Sequence, residues 1–125
     1  MKRDMSLVRE ILLEIEKGHM GMIDGLDYPK EEIVYHVKIM NDFGLIEADV
    51  QDVSTLASME RVEYALGPIA GLTWEGYDFL DDVRDETVWR KTSAHIKKTT
   101  GTASFEMVKE VAKIFVREIL FSGLG

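Results

Sequence analysis

Residues 28–46 constrain the fold most, because they read as a complete helix, its end and the start of a strand. Pro29 suits the first turn of a helix, where its missing N–H would have no partner in any case. Glu31 and Glu32 suit the positive end of the helix dipole. Gly44 provides the left-handed residue that commonly ends a helix. The sequence therefore predicts a helix that stops at Gly44 and passes directly into a strand.

A core helix is predicted before this stretch. Asp4 or Ser6 can cap a helix that runs to Lys17 and stops at Gly18. Six of its apolar residues share one helical face, as expected of a helix that packs on a core: Met5, Leu7, Val8, Ile11, Leu12 and Ile15. Between the two helices, a short strand is predicted near residues 20–23, with a turn after it.

A two-stranded ribbon is predicted after the second helix. Apolar residues recur over 45–52, and polar and apolar residues alternate over 61–66, which favours two strands. The polar, acidic segment between these strands reads as a mobile connection. Gly67-Pro68 interrupts the second strand, which then resumes or pairs separately over 69–72.

The leucine–threonine pair at 72–73 marks the start of the next helix, which Thr73 can cap. In many winged-helix proteins the returning strand of the wing ends in such a pair, followed by a glycine in the first helical turn, here Gly76. Gly44 and this pair occur in the expected order, about one wing apart. The sequence therefore predicts an α+β fold built on a winged helix-turn-helix-like domain.

This domain is predicted to span residues 1–83, and residues 84–125 are predicted to form a helical extension used for oligomerisation. The extension carries the only basic stripe in the chain, two pairs of cations spaced by seven residues on one helical face: Arg90, Lys91, Lys97 and Lys98. This stripe could be a solvated face whose cations lie favourably at the negative C-terminal end of the helix dipole. Alternatively, it contacts phosphates from outside the recognition helix.

The last predicted helix, residues 105–121, is apolar around most of its circumference. An ordinary surface helix needs only one apolar stripe. Here a second apolar face stands beside the first and contains Met107, Val111, Ile114 and Phe121. This second face predicts an interface with a partner, most simply in a homodimer.

The outward face of helix 30–43 is compatible with two functions. If the helix lay in the DNA major groove, four side chains would approach bases and phosphates: Lys30, Tyr35, Lys38 and Asn41. Phosphate would repel its carboxylates, however, and Tyr35 and Ile39 form an outward apolar pair that suits another protein surface. Alternatively, both residues of this pair pack beneath the wing or the C-terminal helices.

The charge of the chain limits where DNA could bind. The 125 residues carry a net charge of −8, which opposes non-specific binding to nucleic acid, because phosphate neutralisation supplies much of that affinity. The charge is uneven, at −4 over 44–60 and +4 over 87–125. Any DNA-binding surface would therefore be local.

The chain is expected to form one hydrophobic core, because it has 125 residues and 46% of them are hydrophobic.

No motif predicts catalysis, a metal, a cofactor or a small-molecule substrate. The chain has no cysteine, and His19, His36 and His95 are not in a metal-ligand spacing. His36 reads as a helix-surface pair with Glu32. The acidic residues of 78–85 lack the alternation and turn glycine of a calcium loop. No signal peptide and no apolar stretch of membrane-spanning length is evident, so a non-enzymatic cytoplasmic protein without membrane contact is expected.

Several motifs together resemble a family of small bacterial and prophage-borne proteins known as a domain of unknown function. They are the opening MKRDM, the helical EIVYHVK, GLIEA, LTWEG, RDETVW and the short ASF, at residues 1–5, 32–38, 44–48, 72–76, 84–89 and 103–105. The resemblance implies a bacterial or phage source and a winged-helix-like fold. It implies no activity and no residue roles. Members more often have a serine where this chain has Pro29.

Two functions from different classes are therefore open. The first is a DNA-binding transcriptional regulator, a dimer that contacts double-stranded DNA through the outward face of helix 30–43 and the basic stripe. The alternative is a winged-helix protein–protein interaction module that does not bind DNA.

Overall fold

The structure is a computed structural model that describes residues 2–18, 26–52, 64–99 and 104–122. The chain divides into two compact units, Met1–Tyr77 and Asp78–Gly125, called here the N-terminal unit and the C-terminal unit. The described residues form five helices and one antiparallel pair of strands, so the predicted α+β class is confirmed and the arrangement is consistent with a winged-helix-like fold. The strand predicted near residues 20–23 lies outside the described residues.

The predicted domains, 1–83 and 84–125, have a different boundary from these units and stay a prediction, as does the oligomeric role of the second. The acidic connection between the two predicted strands lies mostly outside the described residues, as does the beginning of the second strand.

Helix α1 (Met5–Glu16) forms because its apolar residues recur on one face and its first turn is capped. The Asp4 carboxylate accepts hydrogen bonds from the backbone N–H of Ser6 at 2.9 Å and of Leu7 at 3.4 Å. The helix ends at the left-handed Gly18, as predicted. Its buried face contains Leu7, Val8, Ile11, Leu12 and Ile15.

Helix α2 (Lys30–Phe43) ends at Gly44, as predicted. Pro29, predicted in the first helical turn, is instead the residue before the helix, with φ = −57° and ψ = 141°. Gly44 has φ = 96°, a left-handed conformation that a β-carbon would strain. The backbone N–H groups of Gly44 and Leu45 both donate to the carbonyl of Met40, at 3.1 and 2.9 Å, which closes the last turn. The buried face of α2 contains Ile33, His36, Val37 and Met40.

Strands β1 (Ile46–Asp52) and β2 (Tyr64–Leu72) pair antiparallel, with Ile46 opposite Leu72. The predicted interruption at Gly67-Pro68 is wrong, because β2 runs through both residues. The register shifts between Ala48 and Val50, so the strand accommodates a proline that has no N–H to donate.

Helix α3 (Trp74–Val83) begins against the end of α2. The Thr73 hydroxyl oxygen accepts from the backbone N–H of Gly76 at 3.0 Å, and the hydroxyl donates to the carbonyl of Gly44. The backbone N–H of Thr73 donates to the carbonyl of Leu45 at 3.0 Å. A β-carbon on Gly76 would lie 1.9 Å from that same carbonyl oxygen, so only glycine fits. The two predicted motifs, Gly44 and the pair at 72–73, therefore meet in space.

The C-terminal unit contains α4 (Glu86–Thr99) and α5 (Phe105–Phe121). The Asp85 carboxylate caps α4 by accepting from the N–H of Val88 at 2.9 Å, so the helix breaks between α3 and α4. Ser104 caps α5, because its side-chain oxygen accepts from the N–H of Met107 at 3.2 Å. Among the described residues of this unit, eight are buried: Phe79, Leu80, Val83, Val88, Thr92, Phe105, Val108 and Ala112.

Candidate functional site

His36 determines how α2 is held, and its placement corrects the predicted surface pair with Glu32. The side chain is only 1% exposed. Its Nε2 accepts from the backbone N–H of Asp4 at 2.8 Å, and its Nδ1 lies 2.7 Å from the carbonyl oxygen of Glu32. Since one partner is a donor and the other an acceptor, the ring is neutral with its proton on Nδ1. The imidazole is buried because it connects the start of α1 to α2.

The four residues of α2 that were predicted to contact DNA differ in their interactions within the protein. The Lys38 ammonium forms an ion pair with Asp42, one turn away. The Asn41 side-chain oxygen accepts from the N–H of Ala48 at 3.0 Å, which fixes α2 to β1. Tyr35 is half-buried, with its ring edge-on to His36 at 5.5 Å, and Lys30 is exposed. Two of the four polar groups are therefore already engaged within the N-terminal unit.

The neighbouring surface of the N-terminal unit is acidic. Strand β1 exposes Glu47, Asp49 and Asp52 and contains no lysine or arginine. Near the start of α2, burial together with nearby carboxylates, that of Asp4 foremost, raises the pKa of Tyr28. This surface has the wrong charge to hold phosphates.

The basic stripe lies on α4, where all four cations, Arg90, Lys91, Lys97 and Lys98, are exposed. None of them makes an ion pair with a described residue, and the Lys91 ammonium lies 6.0 Å above the ring of Phe115. Some other described cations do have carboxylate partners, as for Lys17 with Glu14 at 3.4 Å and Arg84 with Asp81 at 3.1 Å. We call the exposed side of α4 that carries these four residues the α4 basic face.

The second apolar face of α5 is exposed. Met107, Ile114 and Phe121 are 49%, 57% and 55% exposed, and Val111 between them is half-buried. An open cleft of about 610 Å³ along the first half of α5 is lined by Met107 and Val111 of this face and by the carboxylates and ammonium groups beside them. Ile39, the other predicted interface residue, is half-buried on α2 together with Tyr35.

The acidic residues around the end of α3 serve local structure. Asp81 pairs with Arg84, and Asp85 caps α4. Desolvation raises the pKa of the Asp82 carboxyl against the opposing effect of Lys113 and Lys109. Among the described residues, no group of three or more histidines or carboxylates is arranged to hold a metal ion.

Sequence reasoning missed three exposed aromatic side chains, of which Trp74 is 79% exposed. Phe43 and Tyr77 are the other two, at 50% and 46%. The signal for Trp74 is helical periodicity, which places it on the side of α3 opposite the buried Phe79, Leu80 and Val83. Phe43 is the last residue of α2, directly before the left-handed Gly44.

Comparisons with known proteins identify relatives of the chain. The family model described as "Hypothetical protein (DUF2513)" matches residues 2–103. An uncharacterized protein of Haemophilus influenzae is 33% identical over 126 residues, which cover 96% of this chain and 99% of that protein. No solved structure gives a significant match. In the part of the chain that the structure describes, no helix has the length and apolar character needed to cross a membrane.

Proposed function

We propose that this chain, which belongs to the DUF2513 family, is a DNA-binding regulator that contacts the phosphate backbone through the α4 basic face. The family carries no established activity, so the proposal is based on the surface chemistry of the chain itself. It assigns no catalytic role and no cofactor to the chain and places its action in the cytoplasm, with double-stranded DNA as the partner.

One observation supports the proposal most strongly: Arg90, Lys91, Lys97 and Lys98 are exposed on one helix without ion-pair partners among the described residues. Lysine and arginine side chains in such an array neutralise phosphates and release counterions. Helix α2 has a different role in this proposal. Its Asn41 and Lys38 side chains are engaged within the N-terminal unit, so α2 organises the wing and contributes less to the DNA contact.

A fluorescence anisotropy titration with a random-sequence DNA duplex tests this proposal. The variant Lys91→Gln/Lys98→Gln removes two charges from α4, and Lys30→Gln/Lys38→Gln removes two from α2. We expect the α4 variant to bind at least about tenfold more weakly at low salt and to lower the slope of log affinity against log salt by about 2. The matched α2 variant should bind within about threefold of the unmodified chain.

The two variants separate the possible outcomes. A larger loss in the α2 variant would make α2 the recognition helix and overturn the assignment to α4. If the unmodified chain does not bind duplex DNA at low salt, the DNA function is wrong. Affinity that does not fall with increasing salt would also contradict it, because phosphate contacts are salt-dependent.

A second candidate function is a protein–protein interaction module, and the exposed second face of α5 favours it. Met107, Ile114 and Phe121 lie at spacings of seven residues on one side of a 17-residue helix. A second copy of the chain could cover this face in a symmetric dimer, since the same patch then serves both subunits. This dimer is compatible with DNA binding, but it would also serve a module that binds no DNA.

Light scattering at tens of micromolar protein tests the dimer. We expect a dimer for the unmodified chain and a monomer for Ile114→Asp or Phe121→Asp, because each places a charge on the apolar face. The exposed Glu106→Asp serves as the control and should leave the dimer intact. A monomeric unmodified chain would contradict the assignment of α5 to self-association.

A further inference from the structure

The N-terminal unit exposes an aromatic surface where α2, β1 and α3 meet. We call it the aromatic patch and define it by Phe43, Trp74 and Tyr77. The Thr73 hydroxyl donates to the Gly44 carbonyl, which brings together the backbone segments that carry the neighbouring residues Trp74 and Phe43. Tyr77 follows Trp74 by three residues and therefore lies on the same side of α3.

The exposure of Trp74 requires an explanation. At 79% exposed, its indole contributes little to the core of the chain, and its position at the start of α3 is held by Thr73 and Gly76. Exposed aromatic clusters of this kind commonly mark interaction sites, because tryptophan and tyrosine provide much contact area with few rotatable bonds. The aromatic patch therefore has the character of a binding surface.

The charge around the aromatic patch identifies the chemistry of its partner. The described residues 38–52 and 64–77 contain one cation, Lys38, and it is paired with Asp42. Four further carboxylates have no lysine or arginine beside them in these segments: Glu47, Asp49, Asp52 and Glu75. Glu47 and Glu75 are exposed and make no ion pair with a described residue. Aromatic faces attract cations, and carboxylates beside them add charge and hydrogen-bond acceptors.

We propose that the aromatic patch, with Glu47 and Glu75 beside it, binds an arginine- or lysine-rich segment of a partner protein. A guanidinium or ammonium group would lie on the indole of Trp74 while neighbouring cations pair with the two carboxylates. The same charge repels nucleic acid, so this surface is distinct from the α4 basic face. The inference does not depend on DNA binding.

A labelled nine-residue arginine peptide is the probe, with anisotropy as the readout on the full chain. We expect Trp74→Ala to weaken binding about five- to tenfold, which lies between the values for an exposed and a desolvated cation–π contact. Phe121→Ala removes an exposed aromatic ring from α5 and should bind within about twofold. Equal weakening by both variants, or by neither, would overturn the aromatic patch as the site.

Two double variants that remove the same number of charges distinguish binding at the aromatic patch from general attraction of the peptide to an acidic protein. Glu47→Gln/Glu75→Gln and Glu106→Gln/Glu110→Gln each remove two exposed carboxylates. The first pair should weaken peptide binding at least about fivefold more than the second, because only the first lies beside the aromatic patch. Equal effects would show attraction by net charge alone and overturn the proposal.

Fluorescence gives an independent test, since the chain has two tryptophans. In Trp89→Phe, Trp74 is the only tryptophan, and saturable quenching or a spectral shift with the peptide is expected when tryptophan is excited selectively. A peptide of equal length without charge should change nothing. An unchanged Trp74 spectrum at saturating arginine peptide would contradict contact with the indole.

A second copy of the chain could also supply the cations, through the α4 basic face. Sedimentation of the unmodified chain and of Trp74→Ala over a concentration range distinguishes this outcome. Self-association that is lost in both Trp74→Ala and Lys91→Gln/Lys98→Gln would replace the partner protein by a second copy and overturn the proposal. Unchanged association in Trp74→Ala supports a separate partner.

Discussion

Helices α2 and α4 both have 14 residues, but they use their polar side chains in opposite ways. In α2, His36, Lys38 and Asn41 each have a hydrogen-bond or ion-pair partner within the N-terminal unit. In α4, the four cations of the basic face have no carboxylate partner among the described residues, and the buried Thr92 hydroxyl has no hydrogen-bond partner there. The polar groups of α2 stabilise the N-terminal unit through these contacts, whereas the cations of α4 have no carboxylate partner among the described residues and are available to a ligand.

This difference matters because the winged-helix pattern alone would assign recognition to α2. The position of an element in a fold does not determine its function, which depends on the chemistry of its exposed groups. Four substitutions test this difference between α2 and α4, and each is paired with a control substitution on α4.

The largest effect is expected for Gly76→Ala, which disturbs the junction that holds the end of α2. Its β-carbon would lie 1.9 Å from the backbone oxygen of Leu45, so α2 and α3 would have to separate. We expect the free energy of unfolding to fall by at least about 3 kcal/mol. Ala94→Gly, an alanine–glycine exchange on the exposed side of α4, should cost about 1 kcal/mol. Urea unfolding measures both. Equal costs would show that the junction relaxes easily.

His36→Leu should have the next largest effect. Leucine fills the buried position with an apolar side chain. It leaves the Asp4 N–H and the Glu32 carbonyl without their imidazole partner. We expect a loss of about 2 kcal/mol in the free energy of unfolding. Lys98→Leu on α4, at an exposed position without an ion-pair partner among the described residues, should change stability by less than about 0.5 kcal/mol. Thermal unfolding of the two variants is the measurement, and similar midpoints would contradict the connecting role of His36.

The sequence predicted where most of the helices begin and end, because the residues that start and stop a helix act locally. Gly44, Thr73 and Ser104 each perform the turn or cap that their residue type favours. The family was also correctly recognised, from motifs distributed over most of the chain.

The burial of His36 could not be predicted, because its partner Asp4 lies 32 residues away in the sequence. The helix pattern placed His36 near Glu32 and gave no sign that α1 would meet the imidazole. The engagement of Asn41 with β1 is likewise a tertiary contact. Helical periodicity alone therefore overestimated how many polar groups of α2 are available to DNA.

Asn41→Ala should have a moderate effect. It removes the side-chain oxygen that accepts from the N–H of Ala48, in a partly buried environment between α2 and β1. We expect a loss of about 1 kcal/mol, because one backbone donor loses its partner. Lys97→Ala on the α4 basic face should change stability by less than about 0.5 kcal/mol. Hydrogen exchange at Ala48 gives the local readout. Unchanged protection in Asn41→Ala would show that this contact does not fix α2 to β1.

The smallest effect is expected for Thr92→Val, and its sign is opposite. Thr92 is fully buried on the inner side of α4, and its hydroxyl oxygen has no partner among the described residues. A buried hydroxyl without a hydrogen bond costs free energy, and valine has nearly the same shape without the polar atom. We therefore expect Thr92→Val to stabilise the chain by about 0.5–1 kcal/mol, measured by urea unfolding, with the exposed Thr87→Val near zero. A destabilised Thr92→Val would reveal a partner for the hydroxyl, and α4 would then resemble α2 on its inner face while still differing on its outer one.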